Sequence, residues 1–364
     1  MSDSQTPSIP RGKVLVTGAS GHVGANLVHR LLQDGHEVRA LALPGADNRA
    51  LDGLELEIFE GDLRDAEAMR RAVTGCARVF HTAAKISVLN ASAGEERELY
   101  DVNVVGTRNL MRAALEKGVA RVVLTGSFSA VGYDPANPSR PSNEDMPFYP
   151  FGHVLPYARS KALAELEMYK VLADGLDAVI ATSCACVGPY DYLPSRIGRT
   201  MIDFAHGRLH AYIPGGFMFV RAADLVEGHV LAMEKGRRGH KYIIATQFHT
   251  LDDLVRWFTE ITGLAAPRLR LPARLMSSIT GVYSGALARF FPDMPQRLNP
   301  GAIRILSMRR HADITKARTE LGFAPTSVAT AVREAFEFFE REGKIPRGLL
   351  REPPSGRPDA AAAE

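Results

Sequence analysis

The segment Lys13–Thr17, K-V-L-V-T, runs directly into T-G-A-S-G-H-V-G, Thr17 to Gly24. That junction constrains the fold more than any other feature of the chain. A short apolar run ended by glycine reads as a buried parallel strand. Behind it, Val23, Leu27, Leu31 and Leu32 fall on one side of a helix predicted over His22–Asp34, and Gly35 stops that helix. Gly18 permits a tight turn, Gly21 lets the backbone approach a pyrophosphate, and Gly24 lets the helix pack close to the sheet. The helix start, with Ser20, His22 and Val23 around it, offers free N–H groups and a positive dipole end to phosphates.

The same alternation continues. Strands are predicted at Glu37–Leu43, Leu56–Phe59, Arg78–His81, Val119–Thr125 and Asp177–Thr182, and helices over Gly94–Lys117 and Pro156–Ala173. The fold class is therefore α/β: a doubly wound, Rossmann-type parallel sheet covered on both faces, with ligands at the carboxyl ends of its strands. After Val187 the pattern changes, with glycine and proline at Gly188-Pro189, Pro194 and Pro214-Gly215-Gly216. The expected division is a dinucleotide-binding domain over 12–187, a smaller, mostly helical substrate-binding lobe with returning elements over 188–345, and a disordered tail over 346–364. The length of 364 residues accommodates this arrangement, and no internal repeat is present.

Net charge is +3 and no basic run occurs, which gives no case for nucleic acid. Cys76, Cys184 and Cys186 are too few and too sparse for a disulfide framework, so a reducing, cytoplasmic setting is expected. The N-terminal residues lack an apolar signal core, and no uncharged apolar stretch is long enough for a transmembrane span. Leu271–Phe291 is apolar but carries Arg274, Gly281, Gly285 and Arg289. It reads as a lid or cap helix, with contact to a membrane surface as the alternative.

Tyr157-Ala158-Arg159-Ser160-Lys161 places a phenol and an ammonium four residues apart, on one face of a predicted helix. A phenol titrates near 10 when unperturbed; a nearby ammonium and an oxidised nicotinamide ring both favour its phenolate. Tyr157 can then act as acid or base near neutrality, and Lys161 can also hold a ribose.

The T-G-x-x-G-x-x-G turn followed by Y-x-x-x-K resembles the fingerprint of the short-chain dehydrogenase/reductase superfamily, in its extended branch. The likeness covers about residues 12 to 342. Within that branch the chain is similar to the dihydroflavonol-4-reductase-like and hopanoid-associated sugar epimerase-like groups. The likeness is carried by G-C-A-R-V-F-H-T-A-A, Y-A-R-S-K-A-L-A-E, G-R-T-M-I-D-F-A-H-G-R-L-H-A-Y-I-P-G-G and F-V-R-A-A-D-L-V-E-G-H. In the last of these Asp224 matches and Arg221 replaces a usual histidine. The resemblance implies an NAD or NADP cofactor. It implies adenine contacts at Asp62 and Leu63, and a loop past the fourth strand at Ala83, Ala84 and Lys85 that passes the cofactor. It also implies a helix asparagine at Asn103. T-G-S-F-S puts the catalytic hydroxyl at Ser127, with Thr125 nearby, Gly126 in place of a usual serine, and Ser129 as the fallback. S-C-A-C-V-G-P, with Ser183, Cys184 and Val187, flanks the nicotinamide, and Ser183 stands where a proline is usual. Cys184 and Cys186 are too close for zinc spacing and read as small packing residues. His206 and His210 read as a chance pair, and His81 and His153 as structural.

At the end of the second strand Ala42 stands where NAD-binding members carry Asp, and Leu43 where NADP-binding members often carry Arg. Asp47 and Arg49 lie just beyond and point in opposite directions. The missing arginine removes a bidentate phosphate partner, which tilts the reading toward NAD.

Three functions compete. The first is a reductase or dehydrogenase moving hydride between nicotinamide and a ketone or secondary alcohol of a small-molecule substrate, with Tyr157 as acid/base. The second is a nucleotide-sugar epimerase or dehydratase with retained NAD, for which Arg196, Arg199 and Arg208 would hold a diphosphate. The third is a non-catalytic NAD(P) sensor, which would need none of Ser127, Tyr157 and Lys161. Phe148, Tyr149, Phe151, Val154, Leu155, Tyr190, Tyr192, Leu193, Phe204, Tyr212, Phe217, Met218 and Phe219 dominate the variable segments and suit a lipophilic, even polycyclic, ketone. The resemblance also implies a homodimer through the helices at Gly94–Lys117 and Pro156–Ala173.

Overall fold

Lys13–Thr17 (β1), Val38–Ala42 (β2), Glu57–Glu60 (β3), Cys76–His81 (β4), Arg121–Ser127 (β5) and Ala178–Ser183 (β6) form one parallel sheet. The computed structural model of the chain describes residues 12–86, 93–137, 140–148, 155–271 and 306–352. A seventh strand completes the sheet. Ala185–Val187 (β7), Ala211–Tyr212 (β8) and Gly216–Arg221 (β9) follow β6 in the chain, and Lys241–Ile244 (β10) then returns beside it, giving the order β10-β6-β5-β4-β1-β2-β3. The order reverses at β1, which pairs with both β2 and β4. Ligands of doubly wound sheets bind above such a switch point.

The strands alternate apolar residues to two faces. Val14 and Val16 of β1, Val123 of β5 and Val179 and Ala181 of β6 meet His22–Gln33 (α1) and Ala222–Lys235 (α7). Leu15, Val122, Leu124 and Ile180 meet Ala66–Val73 (α2), Gly106–Glu116 (α4) and Pro156–Ala173 (α5). Helix α2 was not anticipated from sequence; Asp65 starts it, its side chain accepting from the backbone of Glu67 and Ala68. The helix expected over Gly94–Lys117 is interrupted. Ala93–Tyr100 (α3) and α4 are joined by a π-helical turn over Asp101–Val105. Such turns commonly accompany functional positions.

The lobe is built on a second sheet, in which β9 pairs parallel with β7 and antiparallel with Gln247–Thr250 (β11). Arg196–Ala205 (α6), Leu251–Thr262 (α8) and Val328–Arg341 (α9) enclose a core of Phe204, Phe219, Phe258, Phe336 and Phe339. Much of the expected aromatic lining is thus lobe core. Phe204 and Phe219 are buried, and Tyr190, Tyr192 and Phe217 pack against the same cluster. Enclosing a three-stranded sheet between three helices requires those rings as filling.

The tail also departs from expectation. Residues 346–352 lie on the lobe: Leu349 and Leu350 pack against its core, and Arg351 N–H donates to Ile261 O at 2.8 Å. Residues 353–364 fall outside the described residues, as do His153, Tyr149, Phe151, Val154 and nearly all of the Leu271–Phe291 segment. Among the described residues no helix is long and apolar enough to cross a membrane.

Candidate active site

The carboxyl ends of β1, β4, β5 and β6 converge on one edge, and the glycine turn stands at its centre. Gly18 has φ +68°, and a Cβ there would lie 2.7 Å from the backbone of Ala83. A Cβ on Gly24 would lie 2.0 Å from Gly18 O. Only glycine lets α1 approach this closely. The N-cap of α1 is Gly21, with no side chain capping it, so the first helical N–H groups face outward uncapped. This cradle fits a dinucleotide pyrophosphate. Ser20 donates to Asn48 across the turn, and Val23 packs into the core beneath it.

Several expected cofactor contacts have their side chains engaged elsewhere. The Asp62 carboxylate is gripped by Arg64, with Arg64 Nε 2.9 Å from Oδ2, which holds its carboxyl below the usual range. Leu63 and Val187 are buried in the two cores. Asn103, in the π turn, accepts from Lys85 N at 2.7 Å and donates to Lys85 O and to Ser160 Oγ, both at 2.9 Å. Ser160 in turn donates to Tyr157 O at 2.8 Å. Asn103 therefore spends its whole amide on fastening the Ala83–Lys85 loop to α5. The Lys85 ammonium pairs with Glu98 at 2.6 Å. Ser183 donates to Cys184 O at 2.9 Å. Cys184 and Cys186 pack against the core, and burial pushes both thiols up.

Tyr157 and Ser127 come together, and Lys161 follows one turn along α5. The Ser127 hydroxyl acts on the Tyr157 phenol and favours its ionised form. Ser127 Oγ lies 2.7 Å from Ser129 Oγ, so the two serines act as one hydroxyl pair. Lys161 Nζ is buried and donates to Thr125 O at 2.6 Å. Burial pulls Lys161 down to about 8, with the Glu165 carboxylate opposing. Tyr157 runs against the expectation from its neighbouring ammonium. Burial pushes its phenol up, and the Ser127 hydroxyl is the counter-effect. The protein's own groups thus favour the protonated phenol.

Two buried histidines brace this edge, and both tautomers follow from their partners. Thr107 commits its proton to Asn103 O at 2.6 Å, so His81 Nε2 donates to Thr107 Oγ1 and His81 Nδ1 accepts from Thr17. His229 Nδ1 donates to Leu225 O, so its Nε2 accepts from Thr125 Oγ1 at 2.8 Å. Desolvation lowers them to about 3 and about 4, which keeps both neutral.

The loop after β5 is clamped from far along the chain. Arg310 donates to Val131 O, Gly132 O and Ser142 Oγ at 2.9, 3.0 and 3.1 Å, and its guanidinium lies 4.5 and 4.8 Å from the Phe128 and Tyr133 rings. Phe128, Cys184, Phe248 and Met218 gather in one apolar cluster beside it. His229 and Arg310 were not legible in the sequence, because a lone His and an Arg in M-R-R-H carry no local pattern. In the lobe, Arg221 is held by Glu334 and Asp224 accepts from Thr326 N at 2.7 Å, so both knit the lobe together. Arg208 is paired with Asp203 at 3.0 Å, and His206 with Lys344 O.

A phosphate-accepting glycine turn at a switch point, with a Tyr–Lys helix against the next strand ends, defines a dinucleotide-dependent oxidoreductase of doubly wound type. Residues 14–245 match the NAD dependent epimerase/dehydratase family. The chain belongs to that family, the extended branch of the short-chain dehydrogenases/reductases, and its cofactor is NAD or NADP. It is 44% identical over 331 residues to sterol demethylase protein B of Methylococcus capsulatus, covering 91% of this chain and 99% of the relative. A Synechocystis protein provisionally named a dihydroflavonol 4-reductase is 31% identical over 337 residues, covering 91% and 95%. A 3 beta-hydroxysteroid dehydrogenase/Delta 5→4-isomerase of Mycobacterium tuberculosis is 29% identical over 337 residues, covering 86% of each. Among solved structures, gox2253 superimposes with a TM-score of 0.79 at 33% identity, over 92% of this chain and 100% of that one.

Proposed function

We propose that the protein is an NAD(P)-dependent dehydrogenase or reductase acting on a secondary alcohol or ketone of a lipophilic, sterol-like polycyclic small molecule. The observation that carries this reading is the Ser127–Tyr157–Lys161 constellation at the switch point. It occurs in a chain 44% identical, nearly end to end, to a sterol demethylase protein. A bound nicotinamide would supply or accept the hydride at the carbonyl carbon. Tyr157 Oη gives its proton to the substrate oxygen in reduction and takes it back in oxidation. Ser127, paired with Ser129, hydrogen-bonds that oxygen and steadies the charge developing on it. Burial holds Tyr157 protonated and the Ser127 hydroxyl opposes it, so the phenol is poised to donate in the direction of reduction. The cluster of Phe128, Met218 and Phe248 offers an apolar flank to a ring system.

NAD is the preferred cofactor in this reading. Arg49, beyond the end of β2, is paired through two nitrogens with Asp47, at 2.6 and 2.9 Å. Ala42 and Leu43 offer no charge to a 2′-phosphate. The protein acts as a homodimer through α4 and α5; Leu166 and Tyr169 of α5 are exposed.

The test is to denature purified protein, identify any released nucleotide, and titrate emptied protein with NADH and NADPH. Oxidation of a 3β-hydroxysterol is then assayed with NAD in the wild type and in Tyr157→Phe. Reversible binding of reduced cofactor, and turnover that Tyr157→Phe abolishes without loss of cofactor affinity, is the expected result. Near-stoichiometric retained nicotinamide, with no turnover of any ring alcohol, would overturn the reading in favour of an epimerase or dehydratase. Full activity of Tyr157→Phe would sink the mechanism.

A further inference from the structure

A second pair of charges lies buried beneath the Tyr157–Lys161 couple, and proton transfer at Tyr157 does not touch it. Glu165, one turn beyond Lys161 on α5, is 6% exposed. Its Oε2 is paired with Lys241 Nζ, from the first residue of β10, whose side chain is 13% exposed. Its Oε1 has no partner and faces β5. That oxygen lies 3.2 Å from where a Cβ on Gly126 would stand, and Thr182 Oγ1, also without a partner, lies 2.8 Å from the same point. Gly126 separates Thr125, whose carbonyl takes the Lys161 ammonium, from Ser127, whose hydroxyl acts on Tyr157. The carboxylate is therefore aimed at the stretch of backbone between the two contacts that hold the couple.

As a purely structural device this is a poor one. Two well-packed apolar side chains would join α5 to β10 at least as well, because desolvating an ion pair costs about what the pair returns. What the pair supplies, and an apolar pair could not, is a charge at low dielectric beside Lys161, on a carboxyl that burial pushes up and Lys241 pulls back toward its ionised form. The other titratable groups that face this region are His81 on β4, His229 on α7, and Tyr157 and Tyr169 on α5. Both histidines are held neutral, so neither supplies a charge between pH 6 and 9. Glu165 is left as the one carboxylate acting on the Lys161 ammonium among these groups.

We propose that Glu165 and Lys241 are positioning residues that set the proton affinity of the catalytic couple, Glu165 holding Lys161 as the ammonium and Lys241 holding Glu165 ionised. The proposal rests on the reading of Tyr157 and Lys161 as the proton-transferring couple. Burial has already brought Lys161 to about 8, so a small electrostatic change there alters its charge within the working range.

The test follows Lys161 itself, by NMR titration of protein labelled at the lysine Cε carbons, with the resonance assigned by its loss in Lys161→Arg. Glu165→Gln removes the favourable charge and leaves Lys241 uncompensated, so the Lys161 midpoint falls by about one pH unit, the size of one near charge at intermediate dielectric. Glu165→Asp, which keeps the charge, returns the midpoint toward wild type. In the Glu165→Gln/Lys241→Met double variant the midpoint falls by less than in Glu165→Gln alone, because the uncompensated cation is gone. The double variant removes the unpaired cation at position 241, and it carries the test if Glu165→Gln does not fold. A purely structural pair would change melting temperature and leave the midpoint where it was. An unmoved midpoint in both variants, or a larger fall in the double variant, overturns the proposal. Failure of the underlying reading looks different: Tyr157→Phe or Lys161→Met would keep full turnover, whatever the midpoint does.

Discussion

Gly24→Ala is the sharpest test of how the cofactor turn works. A Cβ at this position would lie 2.0 Å from Gly18 O, 2.7 Å from Gly18 C and 2.9 Å from Ala19 Cα, all backbone atoms that no rotamer change can move. Ordinary contact begins at 3.4 Å, so α1 and the turn must separate by about 1.4 Å. Overpacking of this kind costs about 1–3 kcal/mol of stability. The effect on binding is larger than the effect on folding. The outward-facing N–H groups at the start of α1 would move by the same amount, which takes a hydrogen bond of about 2.9 Å beyond its useful range. Losing one charge-assisted hydrogen bond to a phosphate is worth about 1.5–3 kcal/mol, or roughly ten- to hundredfold in Kd. NADH fluorescence titration of the variant should show that loss, alongside a lowered melting temperature. Gly35→Ala is the control. Gly35 has φ +76° with nothing within 4 Å of its Cβ, so alanine there is strained locally without touching the turn. It should cost about 1 kcal/mol of stability and leave the NADH Kd unchanged. Wild-type NADH affinity in Gly24→Ala would refute the reasoning, because the contact distance leaves no way to place the methyl group with the cradle intact.

Three further outcomes are expected. Arg310→Met should lower kcat at least tenfold while sparing NADH affinity, since it strands the carbonyls of Val131 and Gly132 and frees the loop carrying Ser127 and Ser129; steady-state kinetics beside a binding titration check it. Stability should fall on acidification, because His81 and His229 sit below their ordinary 6.5, at about 3 and about 4. The unfolded chain then takes up more protons as pH drops below 6.5, and each buried imidazole removes ~2 kcal/mol between pH 6.5 and 5. Urea unfolding at pH 7 and pH 5 measures this, and His229→Gln should remove about half of the excess loss. Arg49→Ala should leave NADH affinity nearly unchanged and NADPH binding no weaker than in the wild type, because Asp47 already occupies the guanidinium; a marked, selective loss of NADPH would show that Arg49 leaves Asp47 to bind a 2′-phosphate.

Wherever function depends on neighbours in the chain, the sequence was informative. Strand, glycine turn and helix at 13–33 are contiguous, so their spacing alone forces the turn, and Tyr157 and Lys161 share a helix face by periodicity. Alternation of strands and helices was enough to read a doubly wound sheet. The helix interruption at Asp101–Val105 was not readable, because Asn103 reaches across to Lys85 and Ser160 and only that reach gives the extra residue a purpose. β10 was missed because four residues, K-Y-I-I, read equally well as part of a helix or of a strand. The aromatic residues of the lobe were visible, but their direction was not; whether a ring lines a cleft or fills a core depends on which helix packs over it.

The amino-acid sequence by itself determined the fold class, the cofactor turn and the Tyr–Lys pair, all properties of short segments whose geometry follows from backbone sterics and helical period. Only the tertiary structure decided how the site is tuned. Thr125 meets His229 across 104 residues, Arg310 reaches the Ser127 loop across about 180, and Glu165 finds Lys241 across 76. Such partners are chosen by which faces of the sheet and helices come to share a buried volume. In that volume each polar group must be satisfied and each charge alters the proton affinity of the next.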